Sequence, residues 1–200
     1  ERAPLQYFYT RQRRQLGLGH AVACAQPFVG GQPFAVALGD SIIGLNAQSD
    51  VLRRMTQCFL EKKAEAVIAF TEVTRDRVPH YGVAKPKEGG DVFELEDVIE
   101  KPAVDEAPSN LVIAARYIFA SSIFEALEQI QPGAGGEYQL TDAIRLVIRG
   151  GGKVYGVRLG ADERRYDVGN FDSYFRAFVE FALADEKCGP ELRAYLGSIL

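Results

Sequence analysis

Strand-like and helix-like segments alternate along most of this 200-residue chain. Short apolar runs such as 66–70 and 111–119 have the length and composition of buried strands. The segment 51–60 instead places its apolar residues on or near one helical face. The sequence shows no internal repeat and no long linker. These elements predict an α/β layered fold with a mostly parallel mixed sheet, in a single domain over residues 1–200.

Composition narrows the class of protein. Apolar residues make up 47% of the chain and charged residues 25%, as in soluble globular proteins. A net charge of −4 gives no general attraction to nucleic acid or to an anionic membrane. No apolar run approaches the roughly 20 residues that span a bilayer. The three cysteines are widely spaced, which favours reduced thiols. We therefore expect a soluble, cytoplasmic protein without a nucleic-acid or membrane partner.

A glycine-rich loop, 12–21, lies close to the start of the sequence. It follows the apolar run 5–9, which we interpret as a buried strand, and precedes the helix-like segment 21–25. Strand, glycine loop and helix together let the backbone approach a flat or anionic ligand closely. The next apolar run, 33–38, predicts a strand buried on both faces. The loop suggests a nucleotide ligand.

Carboxylates follow several of the predicted strands, together with one lysine. They include Asp40, the segment 100–102, Glu137 and Asp167. Ligands of α/β folds bind at the carboxyl ends of the strands, so these residues fit a site for a divalent cation and phosphates. The sequence offers no Ser-His-Asp set and no paired histidines, so acyl transfer and a zinc site are poorly supported.

Simpler interpretations exist for the same residues. Asp40 is typical of a turn, and Asp167 is placed to cap a helix that begins at Phe171. The pair 100–101 suits a solvated strand end, and Glu137 can complement a helix dipole.

Seven short motifs that occur in a fixed order favour a functional site over these simpler interpretations. They are Gln12-(x)4-Gly17-Leu-Gly-His-Ala, Leu38-Gly39-Asp40, His80-Tyr81-Gly82, Val98-Ile99-Glu100-Lys101-Pro102, Ala107-Pro108-Ser109-Asn110, Pro132-Gly-Ala-Gly-Gly-Glu137-Tyr-Gln-Leu-Thr141-Asp142 and Arg165-Tyr166-Asp167-Val-Gly169. With them the chain closely resembles the bacterial UTP–glucose-1-phosphate uridylyltransferases, which are sugar-1-phosphate nucleotidyltransferases with a Rossmann-like fold. The resemblance extends from about residue 7 to about residue 178.

The resemblance implies a role for each matching residue. Gln12 corresponds to the glutamine that reads the pyrimidine, since an amide offers both a donor and an acceptor to the imide edge of uracil. Gly17 corresponds to the glycine over which the base lies. Asp40 and Asp167 correspond to the two metal-binding aspartates, for which Mg²⁺ is the expected ion. Lys101 corresponds to the lysine that grips the phosphate of the sugar phosphate. The expected sugar-site residues are Gly82, Glu100, Lys101, Asn110, Glu137 and Thr141.

The implied reaction transfers a uridylyl group from UTP to glucose 1-phosphate and yields UDP-glucose and pyrophosphate. Asp40, Lys101 and Asp167 are the expected catalytic residues. His20 and His80 receive no chemical role, because the first suits a helix start and the second a surface position. A thymidylyltransferase or another sugar-nucleotide pyrophosphorylase remains an alternative, as does a catalytically silent binding module. The resemblance also implies a homo-oligomer with contacts in 171–200.

Two departures from the family pattern carry expectations of their own. The N-terminal strand and the Gly-x-Gly-Thr-Arg loop of the family have no counterpart in this sequence, so we expect an N-terminally incomplete domain that exposes apolar surface and a sheet edge. We interpret the chain as a fragment of a longer protein, and an inactive fragment is one of the alternatives for its function. The metal segment reads Gly39-Asp40-Ser41, where the uridylyltransferases usually carry two consecutive aspartates.

Overall fold

A six-stranded sheet forms the centre of the molecule, in the order β1-β6-β3-β7-β5-β4, and a separate ribbon pairs β2 with β8. The computed structural model describes residues 5–45 and 49–200. The strands are β1 (Phe34–Ala37), β2 (Ser41–Ile43), β3 (Ala66–Glu72), β4 (Gly82–Pro86), β5 (Val92–Glu100), β6 (Leu111–Phe119), β7 (Val154–Arg158) and β8 (Arg165–Asp167).

Helices cover both faces of this sheet. They are α1 (Leu18–Ala23), α2 (Gln26–Val29), α3 (Val51–Lys62), α4 (Ile123–Gln129), α5 (Leu140–Arg149), α6 (Phe171–Ala184) and α7 (Gly189–Ile199). Strand β3 shows why the sheet needs a helical layer on each face, because its first five residues are buried and point alternately to both sides. Ile68 and Phe70 join the core formed with α1, α4 and α5, whereas Val67 and Ala69 join the core under α3. The predicted α/β layered class is confirmed.

The sheet is mixed, as predicted, but its neighbouring strands are mostly antiparallel. Strands β1, β3, β4 and β7 run in one direction, and β5 and β6 run in the other. Only β3 and β7 are parallel hydrogen-bonded neighbours among the pairings of the described residues. Four of the six strands share one direction, so the predicted mostly parallel mixed sheet is confirmed, although most hydrogen-bonded neighbours are antiparallel. The physical reason is that β5 and β6 lie between strands of the opposite direction, and β5 is joined to β4 as a hairpin.

Two N-terminal predictions are wrong. The run 5–9 forms no strand, and its large side chains are exposed, with Tyr9 at 88%. Strand β1 lies at the sheet edge, where it pairs with β6 and leaves Ala35 and Ala37 exposed. Both errors have one cause: in residues 5–45 and 49–200 no strand pairs with these segments on their outer side. The expected exposed apolar surface and free sheet edge are present.

The C-terminal helices α6 and α7 pack against each other and α6 also contacts β8. Asn170 caps α6 by accepting a hydrogen bond from Ser173 N, so Asp167 does not serve as that cap. Exposed aromatic side chains mark the outer surface of this pair, namely Phe171, Tyr174, Phe175, Phe178 and Tyr195. Among the described residues, no helix is both long enough and apolar enough to cross a membrane.

Candidate active site

The β2–β8 ribbon brings the two predicted metal-binding aspartates together. Ser41 pairs with Asp167 across the ribbon, and Val168 N donates to Asp40 O at 2.8 Å. Both carboxylates reach the same point beside Gly169, where an ideal Cβ would lie 3.2 Å from Asp167 Oδ1 and 3.3 Å from Asp40 Oδ2. Gly169 therefore leaves open the space that the two carboxylates share.

A bulge in β6 supports the turn that carries Asp40. Three β6 residues, 114–116, oppose the single residue Ala69 of β3. Ala115 has a φ of 58°, which is rare for a residue with a side chain, and its carbonyl accepts hydrogen bonds from Leu38 N and from the Arg116 side chain. The bulge thus directs backbone and guanidinium groups toward the Asp40 turn.

Arg116 fastens this turn to β6. Its guanidinium donates to Ser41 O at 2.7 Å, to Ala115 O at 2.9 Å and to Leu38 O at 3.4 Å. Burial and the neighbouring charge of Arg165 lower the pKa of Arg116, while Asp40 opposes the shift. The Arg116 side chain therefore holds the turn in place and also puts a positive charge near the Asp40 carboxylate.

Arg165 connects the aspartate pair to the next wall of the site. Its side chain is 13% exposed and donates to Asp167 Oδ2 at 3.4 Å and to Ile113 O at 3.1 Å. Its guanidinium also lies over the Tyr81 ring, 4.9 Å from the centroid. These contacts orient Asp167 and fix Tyr81, the residue before Gly82.

A cavity of about 170 Å³ opens beside the aspartates. The predicted residues that line it are Asp40, Gly82, Glu100, Thr141 and Asp167. Five predicted site residues, in contrast, are not among its lining: Gln12, Gly17, Lys101, Asn110 and Glu137. His80, expected at the surface, is exposed and also forms part of the cavity rim.

Glu100 and Thr141 form another part of the wall of this cavity. Thr141 Oγ1 donates to Glu100 Oε2 at 2.6 Å, so the helix α5 is fastened to the end of β5. Gly82 pairs with Glu100 across the hairpin, and a Cβ at Gly82 would lie 2.7 Å from Ile113 Cδ1. Burial, followed by the charge of Glu100, raises the pKa of Tyr117, whose phenol therefore stays neutral at this wall.

Lys101 and Asn110 lie at the periphery. Lys101 has a left-handed backbone, with φ 44°, and its ammonium is 3.9 Å from Glu100 Oε1. Its side chain is 57% exposed, so it can swing toward a bound anion. Asn110 is exposed, and its Oδ1 accepts a hydrogen bond from Arg75 at 3.3 Å.

The glycine loop is packed against the segment before α5. Leu16 O accepts from Tyr138 N at 2.8 Å, and Gly19 N donates to Tyr138 O at 2.9 Å. Gly17 has a φ of 91°, and a Cβ there would lie 2.8 Å from Tyr138 O and 2.9 Å from Glu137 Cβ. The close approach of the two backbone segments therefore requires glycine at position 17, independently of any ligand that lies over it.

Gln12 is held by the same loop. Its Nε2 lies 3.1 Å from Gly17 O and 2.8 Å from His20 Nδ1. Gln12 is partly buried although residues 13–15 beside it are exposed. Glu137, at the other side of the loop, is exposed and accepts from Gln139 Nε2 at 3.2 Å.

Four residues near the site received no functional role from the sequence: Ser41, Tyr81, Arg116 and Arg165. One signal was available for Arg165, because alternate residues of a strand share a face and Arg165 therefore lies beside Asp167. Arg116 has no such local signal, since its role depends on the β6 bulge. Ser41 Oγ is buried and has no hydrogen-bond partner among the described residues.

Comparison of the chain with known proteins identifies its family. The sequence model of the family described as nucleotidyl transferase matches residues 1–183. UTP–glucose-1-phosphate uridylyltransferase 2 of Staphylococcus saprophyticus is 38% identical over 190 residues, which cover 94% of this chain and 64% of that protein.

Solved structures agree with the sequence comparison. A UTP-bound UGPase from Acinetobacter baumannii superposes with a TM-score of 0.82 at 32% identity, covering 94% of this chain and 64% of that one. A UDP-glucose pyrophosphorylase in complex with UDP-glucose superposes with a TM-score of 0.78 at 34% identity, covering 85% and 63%. The chain thus spans somewhat less than two thirds of the length of these relatives. It belongs to the nucleotidyl transferase family.

Proposed function

We propose that the protein transfers a uridylyl group from UTP to glucose 1-phosphate, giving UDP-glucose and pyrophosphate. One observation carries the proposal: the Asp40 and Asp167 carboxylates meet beside Gly169 and line a cavity together with the hydrogen-bonded pair Glu100 and Thr141. The relatives named as uridylyltransferases and pyrophosphorylases, two of them with UTP or UDP-glucose bound, support the choice of substrates.

The aspartate pair fits a divalent cation, which we propose to be Mg²⁺. Carboxylate oxygens are ligands that Mg²⁺ accepts, and this ion is usually held by one or two carboxylates together with substrate phosphates. Asp40 and Asp167 supply two such groups around one point. No cluster of three or more His, Cys, Asp or Glu side chains suited to a metal occurs in residues 5–45 and 49–200. When bound, the ion would neutralise phosphate charge and orient the nucleotide.

The carboxylate wall suits a sugar. Glu100 Oε2 is held by the Thr141 hydroxyl, which leaves Glu100 Oε1 to accept a hydrogen bond from a sugar hydroxyl. A Cβ at Gly82 would lie 2.7 Å from Ile113 Cδ1 and 3.2 Å from Glu100 Oε2, so glycine at this position lets both side chains keep their places at this wall. We assign Asn110 and Glu137 to the sugar side as well, because they stand in the motifs that resemble the family's sugar site.

The chemistry needs no covalent enzyme intermediate. A phosphate oxygen of glucose 1-phosphate forms a bond to the α-phosphorus of UTP, and the bond from that phosphorus to the bridging oxygen breaks. Pyrophosphate leaves with the bonding electron pair. Lys101 neutralises the sugar phosphate, and Asp40 and Asp167 would hold a divalent cation that would offset negative charge on the nucleotide phosphates. Gln12 and Gly17 hold the base.

Two further proposals concern the oligomeric state and the cellular location of the protein. We propose that the exposed aromatic residues of α6 and α7 contact a second copy in a homo-oligomer, because isolated monomers seldom expose such a group. We further propose a cytoplasmic location, where UTP and sugar phosphates are available.

The direct test measures UDP-glucose and pyrophosphate formed from UTP and glucose 1-phosphate by the purified protein with Mg²⁺. Substitution of dTTP for UTP separates this activity from a thymidylyltransferase. Calorimetry with UDP-glucose and Mg²⁺ separates both from a silent module. Turnover with UTP supports the proposal, whereas absence of both binding heat and turnover rejects it.

A further inference from the structure

The Gln12 carboxamide makes two contacts through the same atom. Nε2 lies 3.1 Å from Gly17 O and 2.8 Å from His20 Nδ1. A backbone carbonyl only accepts hydrogen bonds, so the atom that faces Gly17 O must be the amide nitrogen and not the amide oxygen. The carbonyl therefore determines which way the carboxamide is turned.

The same argument then assigns the histidine. The amide nitrogen donates, so His20 Nδ1 must accept, and the ring proton is on Nε2. Both hydrogens of the Gln12 amide are thereby engaged, one by Gly17 O and the other by His20 Nδ1. Cys24 Sγ, at 4.0 Å, is the other neighbour of Nδ1 and makes a much longer contact.

The carboxamide oxygen is left for a ligand. Both hydrogen bonds of the Gln12 side chain within the described residues are made by Nε2, and Oε1 points to the other side of the amide group. An amide held in this way offers an acceptor and no donor. It complements a base edge that carries an N–H group, such as N3–H of uracil, and repels the N3 lone pair that cytosine has at the same position.

We propose that His20 is a positioning residue that holds the Gln12 carboxamide with its oxygen toward the ligand, and that this orientation selects a base with an imide N–H. The proposal rests on the proposed function, in which Gln12 contacts the base. It refines the sequence-based expectation, which gave Gln12 both a donor and an acceptor and gave His20 no role.

Two variants of His20 separate the orienting role from a structural one. Asn Oδ1 can occupy the position of His Nδ1, so His20→Asn keeps the acceptor. His20→Leu removes it and leaves the Gly17 carbonyl as the one acceptor among the described residues that holds the amide nitrogen, so the turned orientation of the carboxamide becomes more populated. Cys24→Ala is the matched control, since it removes the other neighbour of the ring. Thermal unfolding of each variant confirms that it is folded.

The measured quantity is the ratio of the affinities for UTP and CTP. We expect the wild type to prefer UTP by on the order of 100-fold, because a mispaired polar group at a base-reading site is costly. His20→Leu should lower this preference about tenfold, whereas His20→Asn and Cys24→Ala should keep it within about twofold. If His20→Leu weakens UTP and CTP equally, or leaves the ratio unchanged, the proposal is wrong.

Nitrogen NMR on the ligand-free protein gives an independent answer. The proposal requires His20 protonated at Nε2 and a Gln12 amide resonance that shifts in His20→Leu and not in Cys24→Ala. Protonation at Nδ1 overturns the proposal even if UTP binds tightly. If the wild type binds neither UTP nor UDP-glucose, the proposed function is wrong, and so is the role of Gln12 in reading the base. The NMR result would still decide whether His20 holds the Gln12 side chain.

Discussion

The two halves of the candidate site are built in different ways. The half around Asp40, Asp167 and Glu100 is formed by strand ends, and hydrogen bonds from Arg116, Arg165 and Thr141 hold its backbone and carboxylates. The half around Gln12 and Gly17 is a loop, fixed chiefly by its hydrogen bonds to Tyr138, and the chain before it is exposed. Sheet geometry therefore determines the first half, whereas two backbone hydrogen bonds to Tyr138 hold the second.

The largest effect is expected at the carboxylate half. Asp40→Asn keeps the size of the side chain but replaces one carboxylate of the pair by an amide, which is a far weaker ligand for a hard cation. Turnover should fall by at least about 10³-fold, since charge stabilisation of this kind accounts for much of the barrier reduction. Asp105→Asn, at an exposed position, is the control. Retention of more than a tenth of wild-type turnover would contradict the assignment.

Gly17→Ala tests the loop half. A Cβ there would approach Tyr138 O to 2.8 Å from a residue with φ 91°, so the loop must shift. The strain of about 1–3 kcal/mol should weaken UTP binding by ten- to a hundredfold and change glucose 1-phosphate binding by less than about twofold. Gly30→Ala is matched, since its φ is 61° and nothing lies within 4 Å of its Cβ. Equal losses for both ligands would mean that the halves are not independent.

Thr141→Val removes the hydroxyl that holds Glu100. Loss of one hydrogen bond to a carboxylate costs about 1–2 kcal/mol, so the KM for glucose 1-phosphate should rise about tenfold with little change for UTP. Thr141→Ser keeps the hydroxyl and should restore most of the affinity. Steady-state kinetics with each substrate varied in turn make the measurement. A larger effect on UTP than on the sugar phosphate would reverse the assignment.

The smallest effect on activity is expected from a substitution of Glu163. This residue tests whether contacts just before β8 stabilise the strand that carries Asp167. It is buried just before β8, where Ser49, Asp50 N, Gly160 N and Arg54 contact its carboxylate. Burial raises the pKa of Glu163, but these hydrogen bonds and the Arg54 charge together hold it below its ordinary value of 4.5.

Because this pKa is lowered on folding, the stabilisation is complete above about pH 4.5 and is lost as the pH falls through the folded-state pKa. Glu163→Gln should lower the free energy of unfolding by about 1–3 kcal/mol at pH 7, and the difference should shrink in acid. Denaturant titrations at pH 7 and in acid test this, with the exposed Glu186→Gln as control. A deficit that grows in acid would have the wrong sign.

The sequence predicts the carboxylate half better than the loop half. Asp40, Glu100, Thr141 and Asp167 line one cavity. Glu100 and Asp167 are the last residues of β5 and β8, Asp40 directly precedes β2, and Thr141 lies in the first turn of α5. Most helices and strands also agree with the prediction within a few residues, as 51–60 does with α3. Local patterns were sufficient there because apolar periodicity reports burial directly.

Contacts between distant segments could not be predicted in this way. The need for glycine at position 17 comes from Tyr138, and the role of Arg116 comes from a bulge whose residues look like an ordinary buried strand. The run 5–9 has a strand-like composition, but a strand also requires a partner, and none is present in the described part of the chain. Long-range packing decides each of these cases.

The ribbon of β2 and β8 has a consequence for how the protein is made. One aspartate of the pair is synthesised early and the other late, so the pair cannot assemble until the ribosome has released residue 167 and the segments after β2 have folded. The candidate cation site can therefore form only after β8 has been synthesised and has paired with β2. A nascent chain that stops before β8 would carry Asp40 without its partner carboxylate.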